Sequence, residues 1–312
     1  MNRRQFLHAS TTATAAAALL AASRAGRARA AEPPAPGSRQ PVPEDALAGP
    51  ARGPWRRLLL DASGVEAQAG LTRVFHSAEK YGGNPVIRAD QPWEGAAAIR
   101  GPYVYGTVFW EEGRLRLWYQ ILNQGNHVGY AESRDGLTWT KPELGLIEVN
   151  GSKANNLVVS AFQPDATGGG HCHNPGVLRR PRDGDPEKQY ALYGYDGQAG
   201  HARVAFSPDG LRWRFAPETA ARAMFTSADV VNFFYDPYEA RYTVTWKTRN
   251  RRGRAVGVAW SADGLNWTKP YDGPVFCADD LDPDATQIYG MPVFPYQGLY
   301  IGQPSIYHAR YF

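Results

Sequence analysis

The sequence predicts an all-β fold, a β-propeller, and three observations predict it. A seven-residue pattern, S-x-D-G-L-x-W, occurs three times, at 133–139, 207–213 and 261–267. Each copy follows a short apolar run, at 127–131, 202–206 and 255–260, and successive copies begin 74 and 54 residues apart. That period suits a blade of four strands with its loops. Composition points the same way. Among 312 residues there are 33 Gly, 24 Pro and 12% aromatic residues, a mixture that favours many short strands joined by turns over helices.

Each pattern reads as a turn and the start of a strand. The aspartates Asp135, Asp209 and Asp263 can accept backbone N–H groups, and the glycine that follows tolerates positive φ. These acids are therefore structural. The tryptophans Trp139, Trp213 and Trp267 should pack between sheets and be largely buried.

The amino terminus is different in kind. Arg3-Arg4 followed by Phe6-Leu7, an Ala-rich run at 13–22 and Ala28-Arg29-Ala30 have the form of a twin-arginine signal peptide, so residues 1–30 are excluded from the fold. The run is too short and too Ala-rich to span a membrane. Export to the periplasm or the outside is the expected localisation. Residues 31–54 are rich in Pro, Ala and Gly and read as a disordered linker, and residues 55–312 as the propeller domain. The formal charge of +4 includes five arginines and no acid within 1–30; taking these away leaves about −1. The basic pI thus belongs to the leader and does not argue for nucleic acid. Cys172 and Cys277 are the only cysteines, and the export route, which carries folded proteins, does not require them to pair.

Three blades superpose. The first has strands at 103–110 and 114–122, a run into Ser133 and a strand after Trp139. The second has 174–179 and 189–196, the third 230–235 and 241–246, and a fourth opens with 291–294 and 299–307. No fourth turn pattern follows. The expectation is about three and a half blades, with the propeller incomplete at the C-terminus and Leu299, Tyr300, Ile301, Ile306 and Tyr307 exposed. A complete ring is expected to be monomeric.

Several segments resemble a known group. They are Gly83-Asn84-Pro85-Val86-Ile87, the run 125–139, Lys141-Pro142-Glu143-Leu144-Gly145, Asn155-Asn156, Asp229-Val230-Val231-Asn232 and Tyr289-Gly290-Met291-Pro292-Val293-Phe294-Pro295-Tyr296. From about Leu58 onward the chain resembles exported bacterial proteins related to glycoside hydrolase families 32 and 43. The resemblance implies a five-bladed β-propeller, a carbohydrate substrate, no cofactor, though the axial channel could hold a structural divalent cation, and no nucleic acid or membrane partner. It does not imply fructosidase activity, because the W-x-N-D-P-N-G, R-D-P and E-C signatures are lacking.

Such glycosidases place acids at the axial ends of their innermost strands. Hydrolysis needs two carboxyl groups across one glycosidic bond, about 5–5.5 Å apart to retain configuration or about 6.5–9.5 Å to invert it. By this resemblance Asp229, Glu94 and Asp284 are the catalytic candidates. Asp61, Trp93, His173, Asn174, Asn232 and Tyr289 are the substrate-binding candidates. His171-Cys172-His173 could offer metal ligands, but nothing else in the sequence completes a zinc set, and no metal site is expected. Two further classes remain open: a propeller that binds carbohydrate without cleaving it, and a sialidase-like enzyme, since the repeated turn resembles an Asp box one residue short. Two acids converging in one axial pocket would favour an enzyme; one acid beside an aromatic surface would favour binding.

Overall fold

The structure, a computed structural model, describes residues 48–62, 64–95, 101–168, 171–180, 185–217 and 229–309. The expected leader and most of the expected linker lie outside these residues. The fold is all-β. Among the described residues fifteen strands form small antiparallel sheets, joined by loops and by short 3-10 turns. No helix there is long and apolar enough to cross a membrane.

The first sheet is a four-stranded meander, β1 (Tyr103–Glu111), β2 (Arg114–Leu122), β3 (Asn126–Ser133) and β4 (Leu157–Ser160). The second repeats it with β5 (His173–Arg179), β6 (Tyr190–Asp196), β7 (His201–Ser207) and β8 (Arg214–Phe215). The third has β9 (Val231–Asp236), β10 (Arg241–Asn250) and β11 (Gly253–Ser261). The inner strands adjoin one another, β1 beside β5 and β5 beside β9, which gives a propeller-like arrangement.

The fourth unit differs from its expected form. It begins at Thr286, not Met291. β12 (Thr286–Gly290) pairs with β15 (Ser305–His308), and β13 (Val293–Tyr296) with β14 (Leu299–Gly302). The pairings run from Thr286↔His308 to Tyr296↔Leu299, so this is one long hairpin with an irregularity near Gly290. Pro292 lies at the break, where a missing N–H interrupts the ladder. Leu299, Tyr300, Ile306 and Tyr307 are exposed, and Ile301 is half-buried.

A second difference concerns blade one. Thr140 makes a single bridge to Glu132; Lys141-Pro142 then leads the chain away, and the fully buried β4 supplies the outer strand instead. Residues 48–54, assigned to the linker by composition, are partly tied down. The Ala48 carbonyl accepts hydrogen bonds from the Tyr238 hydroxyl at 2.6 Å and the Gln297 N–H at 2.8 Å.

The three repeated turns have one geometry. In each, the serine hydroxyl accepts from the glycine N–H at 2.8–2.9 Å and donates to the aspartate Oδ1 at 2.9–3.0 Å. That same oxygen accepts the next two N–H groups, each at 2.8 Å. At Asp135 these backbone donors lower the carboxyl pKa from 3.8 to about 2. At Asp263 burial works the other way, and the donors outweigh it to the same value of about 2.

The turns also join blades. The Gly210 carbonyl accepts from the Trp118 indole of the preceding blade at 2.7 Å, and the Gly264 carbonyl from the Tyr193 hydroxyl at 3.2 Å. Gly210 has φ +76°, and a Cβ there would lie 2.9 Å from Trp118 and Arg116; glycine is needed for both reasons. The Gly136 carbonyl in blade one is instead taken by Trp139 of its own turn at 3.0 Å. The expectation for the tryptophans is met at Trp213, which is 2% exposed; Trp139 and Trp267 are only partly buried. Trp213 lies in a core with Trp118, Tyr130 and Val158 packed from blade one, whereas Trp139 packs mainly within blade one. Trp267 meets Tyr193 and Phe233 edge-on.

His127, fully buried on β3, fixes an acid sensitivity. Its Nδ1 accepts the Ala161 N–H at 3.2 Å, so the neutral ring carries its proton on Nε2, which donates to the Asn123 carbonyl at 2.8 Å. Burial, the largest influence, lowers its pKa from the ordinary 6.5, and burial does the same at His173. A depressed histidine pKa means that the unfolded chain takes up the proton first. Stability should be full above about pH 6.5 and fall as pH drops below it. Urea midpoints at about pH 7.5 and about pH 5.5 check this: the midpoint should drop in acid, and less so in His127→Gln. A flat profile would refute it.

Candidate functional site

The amino-terminal ends of β1, β5 and β9 lie side by side. Asn174 sets their spacing. It has φ +54° at the start of β5, a left-handed conformation that asparagine tolerates. Its N–H donates to the Gln120 Oε1 of blade one at 2.6 Å, and its own Oδ1 accepts the Val231 N–H of blade three at 3.0 Å. The Thr245 hydroxyl then donates to the Met291 carbonyl of the fourth unit at 2.5 Å. One relay of side-chain amides and a hydroxyl therefore holds four successive units in register.

Asp229 stands at this end, one residue before Val230. Its carboxylate makes an ion pair with Lys247 of β10; the side chain of Asp229 is 40% exposed and that of Lys247 10%. The Lys247 ammonium lies 4.3 Å from the centre of the Tyr289 ring. His173 and Tyr105 both feel the charge of Asp229. Burial lowers the His173 pKa, Lys247 lowers it further, and Asp229 opposes them. Burial raises the Tyr105 pKa, and Tyr289, Asp229 and Tyr103 add to the rise. Tyr105 is 41% exposed and its ring centre is 6.2 Å from that of His173. Gln120 fixes the tautomer of His173. Its Oε1 is occupied by Asn174, so its Nε2 donates to His173 Nδ1 at 2.8 Å, and the neutral imidazole carries its proton on Nε2.

Of the residues singled out by sequence, the structure brings together Asp229, His173, Asn174, Asn232 and Tyr289. It places Glu94 elsewhere. That carboxylate is completely buried. It accepts the Tyr119 hydroxyl at 2.6 Å, the N–H groups of Asp90 and Gln91 at 3.0 and 3.1 Å, and the Lys141 ammonium at 2.8 Å. Trp93 belongs to the same closed network: it is half-buried, with its indole donating to Asn156 at 2.8 Å. Asp284 is exposed on the turn before β12, and Asp61 is exposed in the segment before blade one. Lys247, Gln120 and Arg254 carry no motif and were not singled out; the signal was the position of Lys247, one residue past the buried Trp246 and level with the blade entry at Val230.

Among the described residues no three His, Cys, Asp or Glu are grouped to hold a metal ion. Cys172 and Cys277 are both free, and burial pushes the Cys172 thiol pKa well up, so it is not a reactive thiolate. A groove of about 680 Å³ lies on the outer side of the blades, between Val158 and Leu146 of blade one and Leu211, Trp213 and Phe215 of blade two. It shares no lining residue with the cluster around Asp229.

No protein-family model matches this sequence, and a search of curated proteins finds none similar to it. Solved structures do align. A glycoside hydrolase aligns with a TM-score of 0.43 and 13% identity over 63% of this chain and 62% of its own. A glycosyl hydrolase from Bacteroides ovatus gives 0.40 and 16% over 65% and 64%. Fructan 1-exohydrolase IIa from Cichorium intybus gives 0.36 and 14% over 52% and 30%. The structural neighbours are glycoside hydrolases. This chain spans less than two thirds of each of these three, and the likeness is one of general form.

Proposed function

We propose that this chain is an exported, glycoside-hydrolase-like propeller that engages a glycan at the axial cluster, with Asp229 as its working carboxylate. The observation that carries the reading is the convergence of Asp229, His173, Tyr105 and Tyr289 from four successive units. The chemistry suits a sugar. A carboxylate accepts paired hydroxyls, an imidazole N–H donates to one, and a tyrosine face covers the apolar C–H side of the ring. The reading calls for no metal or other cofactor.

Hydrolysis would use Asp229 with a second carboxyl group across the bond. Binding without turnover is the second reading, and one observation favours it. Glu94 is enclosed by Lys141 and Tyr119, which leaves Asp229 as the carboxylate of this cluster among the described residues.

Asp229→Asn tests both. It keeps the shape and removes the charge. Glycan binding should weaken by about tenfold or more, the worth of a charge-assisted hydrogen bond, while the thermal melt stays single and cooperative. On the hydrolytic reading, release of reducing ends from a glycan panel should vanish as well. Wild-type affinity in the Asn variant would overturn the assignment of Asp229. Fractionation of expressing cells, with and without Arg3-Arg4→Lys-Lys, tests export separately.

A further inference from the structure

We propose that the axial site takes an anionic glycan, a sugar chain bearing carboxylates or sulfates; this rests on reading the axial cluster as a glycan site. The β10–β11 hairpin runs Lys247-Thr248-Arg249-Asn250-Arg251-Arg252-Gly253-Arg254, five cations and no acid in eight residues. β9 pairs with β10 only as far as Trp246, opposite Val231. The hairpin therefore projects past the inner strand, beside the position of Asp229.

Register then groups the charges. Arg249 sits directly opposite Arg254, and Lys247 lies two residues back along the same strand, so all three share one face. That face meets Tyr289: the Lys247 ammonium is 4.3 Å from its ring centre and the Arg254 guanidinium 5.3 Å. Arg254 also lies 4.7 Å from the Tyr307 ring centre. Like charges directly opposite destabilise a strand pair. The Arg254 guanidinium also donates to the Gln287 Oε1 at 3.1 Å, and an anion is drawn to three cations grouped on one face. Asp229 meets this face through Lys247, and Asp280 meets the hairpin at its tip through Arg252. Asp279 accepts within its own loop, from the Leu281 N–H, and Asp282 from the Asp279 N–H.

A second observation bears on the same place. The Asn232 amide nitrogen is buried and has no hydrogen-bond partner among the described residues. It lies beside Gly290, next to Tyr289. Lys247 and Arg254 both lie against the ring of that tyrosine, and a carboxylate or sulfate is the ligand group that paired cationic donors suit. Arginine presents paired donors matched to such groups. The Asp229 carboxylate beside Lys247 works against a phosphate backbone and favours a ligand that also offers hydroxyls.

Calorimetric titration of the full chain tests this with four probes: trigalacturonate, a sulfated ι-carrageenan oligosaccharide, neutral galactotriose and a short DNA duplex. At about 30 mM salt, one or both anionic sugars should bind at least about tenfold tighter than galactotriose, and the advantage should shrink at about 300 mM. The stronger of the two tells carboxylate from sulfate. Arg249→Gln and Arg254→Gln should each weaken the anionic sugar about tenfold more than the neutral one. Neutral and anionic sugars binding alike would overturn the charge preference and leave the glycan reading standing. No binding of any sugar would sink both, and tighter binding of the duplex would replace the ligand class.

Discussion

Replacing Arg116 with alanine should cost the fold about 3–5 kcal/mol, the range for breaking a buried ion pair from one side. Arg116 on β2 and Glu111 at the end of β1 have side chains 5% and 7% exposed. The guanidinium donates to Glu111, to the Tyr130 hydroxyl at 2.8 Å and to the Asp209 carbonyl at 2.6 Å. The last of these belongs to the turn of the next blade, so one side chain closes a charge pair and clamps two blades. Burial opposes its charge, but Tyr130, Glu111 and Tyr190 outweigh burial and raise its pKa. Removing it leaves the Glu111 carboxylate enclosed with only the Tyr190 hydroxyl at 2.7 Å and the more distant Arg179. Urea unfolding checks the figure. Arg116→Met combined with Glu111→Gln should recover at least half of the loss, because it removes the stranded charge. A loss below about 1 kcal/mol for Arg116→Ala, the level of a surface pair, would show that the network is solvated.

Trp213→Ala should cost a similar amount, about 3–5 kcal/mol, as for other buried aromatic truncations. Its indole N–H has no hydrogen-bond partner among the described residues, so the loss is one of packing, and Trp213→Phe should restore most of it. The neighbouring blade explains the orphan. In the first turn Trp139 bonds the Gly136 carbonyl, but in the second the equivalent carbonyl of Gly210 is taken by Trp118. Trp139→Ala should cost only about 1–2 kcal/mol, because part of that side chain is already in water. Equal losses at the two positions would contradict the difference in burial.

The repeated turns were legible because their chemistry is local. Ser, Asp and Gly within four residues satisfy one another whatever surrounds them. The pairing of the fourth hairpin was less so, since a proline break and a register irregularity hide a continuous strand from any period-two count. Asp229 could be picked out from its place before an inner strand. Its partners could not, because Lys247 and Tyr105 reach it from other strands and other blades, and no sequence spacing encodes that. Glu94 shows the converse. An acid before an inner strand looks the same in sequence whether it faces an axis or, as here, closes a buried network with Lys141 and Tyr119.

The contacts from the second and third turns to the blade before each give the molecule a direction. Trp118 meets Gly210 across 92 residues, Arg116 meets Asp209 across 93, and Tyr193 meets Gly264 across 71. Each contact joins a turn to a blade made earlier in synthesis. A blade leaving the ribosome thus finds its docking surface already folded, and coupling between blades extends only to the nearest neighbour, as in other repeat proteins. Progressive shortening from the carboxyl end should therefore remove cooperative units one at a time and leave the earlier blades folded, whereas a cut inside the second blade should loosen its neighbours on both sides.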